Sequence, residues 1–318
     1  MKHSLVALTL SLSFALGTSA GPIAKQQVPP DASWVAHLDL DRVQKSQLGK
    51  TLIRSFIEPK AKELSAAMNQ LIGLPLDLHK LHSVTAYGRK GGPEPEADAV
   101  LLIQSDLPVQ TALETALTKL KGNPEAAKQI PLQRVESDGF ELFSLHGEGY
   151  LALPASNLVV LGKSKTTVAQ ALSQLKTPSA KPSDSKLLAD SAGAETSLAW
   201  LAATGAVTDG FDLPPQAALL KQTEGVRLSL SESTDNLLAQ LTFKTKTVEV
   251  VEQLHQALQG ILTLATLGTA EDPRMQGFLK GIRIERRQQD VEVGLRFPLA
   301  EISKWMDATA KPQRAAQR

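Results

Sequence analysis

Apolar and polar residues alternate along Trp34–Asp41, with Trp34, Ala36, Leu38 and Leu40 set against Val35, His37, Asp39 and Asp41. A period of two predicts a strand with one buried face, here the face carrying Trp34, Ala36 and Leu38. The period then changes. Leu48, Leu52 and Phe56 fall four apart, and Leu64, Met68 and Leu71 continue the stripe, which predicts helix from Ser46 to Gly73. Pro59 interrupts that stripe, so a kink or two helices are expected, with Pro59 in the first turn of the second.

The same two periods recur downstream. Strands are predicted at "HSVTAYGR" and "ADAVLLIQS", then a helix from Pro108 to Lys121 with Val109, Leu113, Leu117 and Leu120 on one face. "QRVES" and "FELFSL" flank Asp138-Gly139, a short-hairpin signal because both residue types tolerate positive φ. "GYLALP" and "NLVVLG" add two strands, and a helix runs from Ser164 to Leu175. After "KTPSAKPSDSK", the strand "TSLAWLAAT", a short helix at "LPPQAALLKQ", a hairpin turning at Thr234-Asp235 and a helix from Val248 follow. "GIRIERRQ" and "DVEVGLRFP" form a last hairpin before a closing helix, Leu299 to Met306.

Hairpins followed by amphipathic helices predict an α+β fold of antiparallel sheets with helices on one face. The element order runs strand, helix, hairpin, helix, hairpin, helix twice over, so two related halves from an internal duplication are expected. The expected division is a signal segment at 1–20, an N-terminal half at 21–175 and a linker at 176–186. A C-terminal half at 187–308 and a disordered basic tail at 309–318 complete it.

Composition narrows the function. Lys2 and His3 precede an uncharged apolar run, Leu5 to Leu16, and Gly17-Thr18-Ser19-Ala20 supplies small residues for cleavage after Ala20. This predicts export to the periplasm or the medium, because the run is too short for a permanent anchor of about 20 residues. No later stretch predicts a transmembrane segment. The chain has no cysteine, which removes disulfides, thiolate metal sites and lipid attachment at a cysteine. Formal net charge is +1, and Lys2 alone accounts for it, so a nucleic-acid partner is not expected.

Few residues suggest chemistry. On one strand face His37, Asp39 and Asp41 would form a candidate metal site. Against it, one-sided antiparallel strands carry a polar face toward water, and Asp41-Arg42-Val43-Gln44 fits a helix-capping pattern. That wet-face reading is the one favoured by the pattern. His79 and His82 lie three apart but lack a third ligand nearby. Gly162-Lys163-Ser164 resembles the end of a phosphate loop, yet Asn157 stands where the motif needs glycine, leaving Ser164 as a helix cap. No cofactor is implied. "GILTLATLG", Gly260 to Gly268, is apolar nearly all round, which predicts a helix end buried between the halves. The alternative is a contact surface for a partner or apolar ligand around Leu262–Leu267.

The stretch Val28-Pro29-Pro30-Asp31-Ala32-Ser33-Trp34-Val35, followed by Asp39, resembles the opening of some exported bacterial proteins of unknown function. In those the chain also runs on into helix and hairpin units. The resemblance implies no activity. The sequence therefore points to a non-enzymatic binding protein acting on an unknown envelope or extracellular protein or ligand. A metal-assisted hydrolase at His37, Asp39 and Asp41, or a carrier of apolar ligands, is the alternative.

Overall fold

The computed structural model describes residues 23–89, 97–121, 132–145, 147, 149–177, 185, 187–188, 191, 193–205 and 221–306. The expected signal segment, the basic tail and most of the expected linker lie outside these residues, as does most of the short helix expected at 213–222.

Among the described residues a single antiparallel sheet of twelve strands forms, so both stretches expected as halves contribute to one sheet, and an internal duplication is not shown. In the first half β1 (Trp34–Asp39), β2 (Leu81–Gly88) and β3 (Val100–Ser105) are followed by β4 (Leu132–Ser137), β5 (Phe140–Leu145), β6 (Gly149–Ala155) and β7 (Leu158–Gly162). The second half supplies β8 (Ala199–Thr204), β9 (Thr223–Ser233), β10 (Asn236–Thr245), β11 (Ile282–Arg287) and β12 (Asp290–Pro298). Their order across the sheet is β11-β12-β10-β9-β8-β1-β2-β3-β7-β6-β5-β4, with β1 and β8 pairing at the centre.

Between β1 and β2 the chain forms α1 (Leu40–Lys45), α2 (Gln47–Leu52), a π turn at Ile53–Ile57 and α3 (Glu58–Ile72). The break falls where Pro59 predicts it, since proline sits in the first turn of α3. Gly73 ends that helix at φ +70°, a left-handed cap in which its N–H donates to the Asn69 carbonyl. The Asp138-Gly139 hairpin also forms as predicted, both residues having positive φ.

Register sorts the core by sheet face. On one face α4 (Val109–Lys121) lays Leu113, Ala116 and Leu120 against Phe143, Leu151 and Val159. On that same face α6 (Val248–Gly268) sets Val251 and Leu254 against Phe243 and Val291. We call this the helical face. Beyond α6, α7 (Pro273–Lys280) and a helix α8 at 299–306 meet β12 through the ring cluster Phe278, Phe297 and Trp305. The sequence pattern missed α7, although Asp272 caps it and Pro273 opens it.

Among the described residues the opposite face is covered over its first-half and central strands. There α5 (Lys165–Lys176), capped by Ser164 as expected, packs with Val35, Tyr87, Leu102, Val160 and Trp200. Residues near the N-terminus join this layer. Ile23, Val28 and Ala32 are buried in it, and Lys25–Gln27 forms a 3-10 turn. Leu187, Leu188 and Ala194 pack there too, beyond the expected linker.

Candidate functional site

The largest departure from the sequence pattern is at β1. Val35, His37 and Asp39 face the buried layer, with His37 4% and Asp39 2% exposed, whereas Leu38 is 37% exposed. The wet-face reading is thus inverted: the polar set is inside and the apolar set faces outward. Burial of the polar groups is tolerated because each has partners. His37 Nδ1 shares a hydrogen bond of 2.8 Å with Thr85 Oγ1. Asp39, not Asp41, is the helix cap: it accepts from the Arg42 N–H at 2.9 Å and pairs with the Arg42 guanidinium at 3.0 Å.

The three candidate metal ligands do not converge. β1 ends at Asp39, so Asp41 belongs to α1 and turns to His82 instead. Among the described residues no group of three or more histidine or acidic side chains is placed to hold a metal ion. His79 and His82 do not share a helical face either. His79 lies in the 3-10 turn at Leu78–Lys80, capped by Asp77, and His82 lies in β2. His82 is bracketed by two carboxylates, Asp41 at 3.1 Å from Nδ1 and Asp106 at 3.0 Å from Nε2. The hydrogen bond to Asp41 raises the His82 pKa above its ordinary value; partial burial opposes this and Asp106 adds to it. The cluster ties α1 to β2 and to the loop after β3.

What the inverted strand exposes is a strip of aliphatic side chains. Ala36 and Leu38 of β1 stand opposite Ala86 and Val84 of β2, and opposite Leu201 and Ala199 of β8. Leu201 and Ala199 in turn stand opposite Leu228 and Leu230 of β9. The result is two cross-strand rows of four, Val84–Leu38–Ala199–Leu230 and Ala86–Ala36–Leu201–Leu228, on the helical face. They line an open cavity of about 310 Å³. The strip lies on the four central strands, between those whose helical face α4 covers and those that α6 covers. Small residues at Ala36, Ala86 and Ala199 set its floor low.

A larger cavity, about 720 Å³, opens on the other face beside β8, β9 and β10, with Lys221, Glu224, Arg227, Lys244 and Lys246 around it. Its rim includes Gly205 and Lys221, and the residues between them lie outside the described set. The aliphatic strip is the better-defined site.

One signal for it was present in the sequence. Ala199-Trp200-Leu201-Ala202-Ala203 is apolar without alternation, which means a strand meeting apolar material on both faces. Trp200 meets the core; Leu201 is 36% exposed.

No protein-family model and no curated relative matches the chain. Among solved structures, crystal form III of TP0453 is similar at 11% identity and TM-score 0.45, covering 90% of this chain and 97% of that one. Crystal form I is similar at 11% identity and TM-score 0.44, covering 92% and 98%. Likeness at this level identifies neither a family nor a function.

Proposed function

We propose that this protein is a non-enzymatic, exported binder of apolar ligands, acting in the cell envelope or outside it. The ligand's hydrocarbon part lies along the strip formed by β2, β1, β8 and β9. One observation carries this reading: eight aliphatic side chains on four adjacent strands stand in register around an open cavity, and among the described residues Leu38 and Leu201 are exposed while the other six are half-buried. Apolar surface of this kind is left open where something else covers it. The cavity volume falls at the small end of the range usual for ligand pockets, about 300–1,000 Å³. Alanine, valine and leucine side chains offer no group to move a proton, so the site suits binding rather than bond making. Export rests on the N-terminal pattern ending at Ala20.

The test is displacement of a fluorescent fatty-acid probe, with native mass spectrometry of protein purified from its host. Leu38→Asp places a charge on the strip and should weaken probe binding about tenfold or more, with the far-UV spectrum unchanged. Equal affinity in the two proteins rejects the strip as the site. A host-purified mass that retains residues 1–20 rejects the export part.

A further inference from the structure

The exposed apolar residues are not scattered. All nine large apolar side chains left exposed among the described residues lie on the strip, on α3 or its preceding π turn, on α6 or on α7. Each of these elements belongs to the helical side of the sheet. α6 covers that face directly, Ile72 at the end of α3 packs into the α4 cluster, and Phe278 of α7 meets Phe297 of β12. Such one-sidedness separates the pattern from the single surface leucines that any protein carries.

The second half of α6 is its densest part. Ile261 is 54% exposed, Leu264 70% and Leu267 69%, at a spacing of three that keeps them on neighbouring turns. The buried helix end expected at Gly260–Gly268 is therefore an outward apolar surface. From Gln253 to Ala270 there is no aspartate, glutamate, lysine or arginine. The threonines there turn their hydroxyls inward. Thr263 donates to the Gln259 carbonyl at 2.9 Å, Thr266 to Leu262 at 2.8 Å and Thr269 to Ala265 at 2.8 Å. Hydroxyls bonded to the helix's own carbonyls leave the threonine methyl groups facing out.

A surface with no charge and with its hydroxyl donors already satisfied loses little on leaving water for hydrocarbon. A protein partner typically forms about one hydrogen bond per 100–200 Å² of interface, and this stripe offers few groups for them. No described helix is long and apolar enough to cross a membrane. We propose that the second half of α6, with Ile261, Leu264 and Leu267, docks the protein on a lipid surface, lying in the interface rather than spanning it. Docking this way turns the uncovered strip toward the lipid. The docking surface stands on its own observations; a route for ligand into the strip rests on the function proposed above.

The absence of cysteine gives a clean probe, since one introduced thiol is labelled alone. Leu264→Cys carrying an environment-sensitive fluorophore should shift to the blue on neutral phosphatidylcholine vesicles and keep the shift at about 1 M salt, where screening is short-ranged. The same label at Arg283→Cys, on the opposite face of β11, should not shift. Paired substitutions Leu264→Asp and Leu267→Asp should cut vesicle co-flotation about tenfold or more and leave probe binding at the strip intact. Leu38→Asp should do the reverse, which separates failure of docking from failure of the ligand site. No shift at position 264, or an equal shift at both positions, overturns the proposal. So does a shift that grows with protein concentration without vesicles, which would make the stripe a contact between copies of the chain. Loss of flotation in Leu38→Asp alone would also overturn it, moving the contact from α6 to the strip.

Discussion

The two faces of the central strands use their residues in opposite ways. On the inner face of β1, β2 and β8, polar His37, Asp39, Ser83 and Thr85 are buried alongside Val35, Tyr87 and Trp200. On the outer face Leu38 and Leu201 are exposed, and the alanines, Val84, Leu228 and Leu230 around them are half-buried. Hydrophobicity alone would reverse the two. Burial is decided by what the rest of the chain lays over each face, and here Ile23, Val28, Ala32, α5, Leu187, Leu188 and Ala194 pack on the polar side. His37, Asp39 and Ser83 there have hydrogen-bond partners, and Thr85 bonds His37. A folded protein gains by covering apolar area, so exposed apolar side chains in register are the ground for the binding role proposed above.

The sharpest way to break this comparison is at neighbouring residues of β8. Trp200→Ala should cost about 3–5 kcal/mol in urea unfolding, because it empties a packed site. Leu201→Ala, one residue along and on the open face, should cost about 1 kcal/mol or less. Similar losses at both would show that the two faces are equally buried in solution. Trp200→Phe refines the point: the Trp200 Nε1 donor is buried without a partner among the described residues, so its removal should cost far less than Trp200→Ala.

Next in size is the cap on the inner face. Asp39→Ala should lower stability by about 1–2 kcal/mol through loss of the α1 cap and the Arg42 pair. The same substitution at Asp41 leaves that cap in place, so an equal or larger loss at Asp41 would reassign the helix start.

A smaller effect depends on pH. The folded-state pKa of His82 is raised above 6.5, so charged His82 is favoured by folding. Its contribution is full below about pH 6.5, the unfolded value, and is lost as pH rises through the higher folded value. The stability difference between the parent protein and His82→Gln should therefore shrink on going from pH 6 toward pH 8. A difference that grows with pH would contradict the Asp41–His82–Asp106 geometry. Smallest of all, Ala36→Val on the strip should change stability by about 0.5 kcal/mol or less while reducing probe binding, since it fills space the ligand needs.

Much of the architecture was legible in the chain. Positive-φ turns at Asp138-Gly139, the helix break at Pro59, the Gly73 terminus and the Ser164 cap are local matters, set by residues within a few positions of each other. The α+β class followed from the alternation of periods. α7 was missed because only eight residues, Pro273–Lys280, carry it, too few for a periodic stripe to stand out. At the site, the alternation of Trp34 to Asp41 correctly marked a strand but not which side is buried.

That difference has a physical cause. Strand period, turn chemistry and capping are interactions of near neighbours, so the amino-acid sequence by itself determined most of the strands, the tight turns and the longer helices. Period two divides a strand into two faces without saying which face the distant chain will cover. The pairing of β1 with β8, the packing of Ile23, Val28, Ala32, Leu187, Leu188 and Ala194 on the face that carries His37 and Asp39, and the exposure of Leu38 and Leu201 among the described residues involve residues far apart in sequence. Only the tertiary structure decided them, and with them which side of the sheet carries the exposed Leu38 and Leu201.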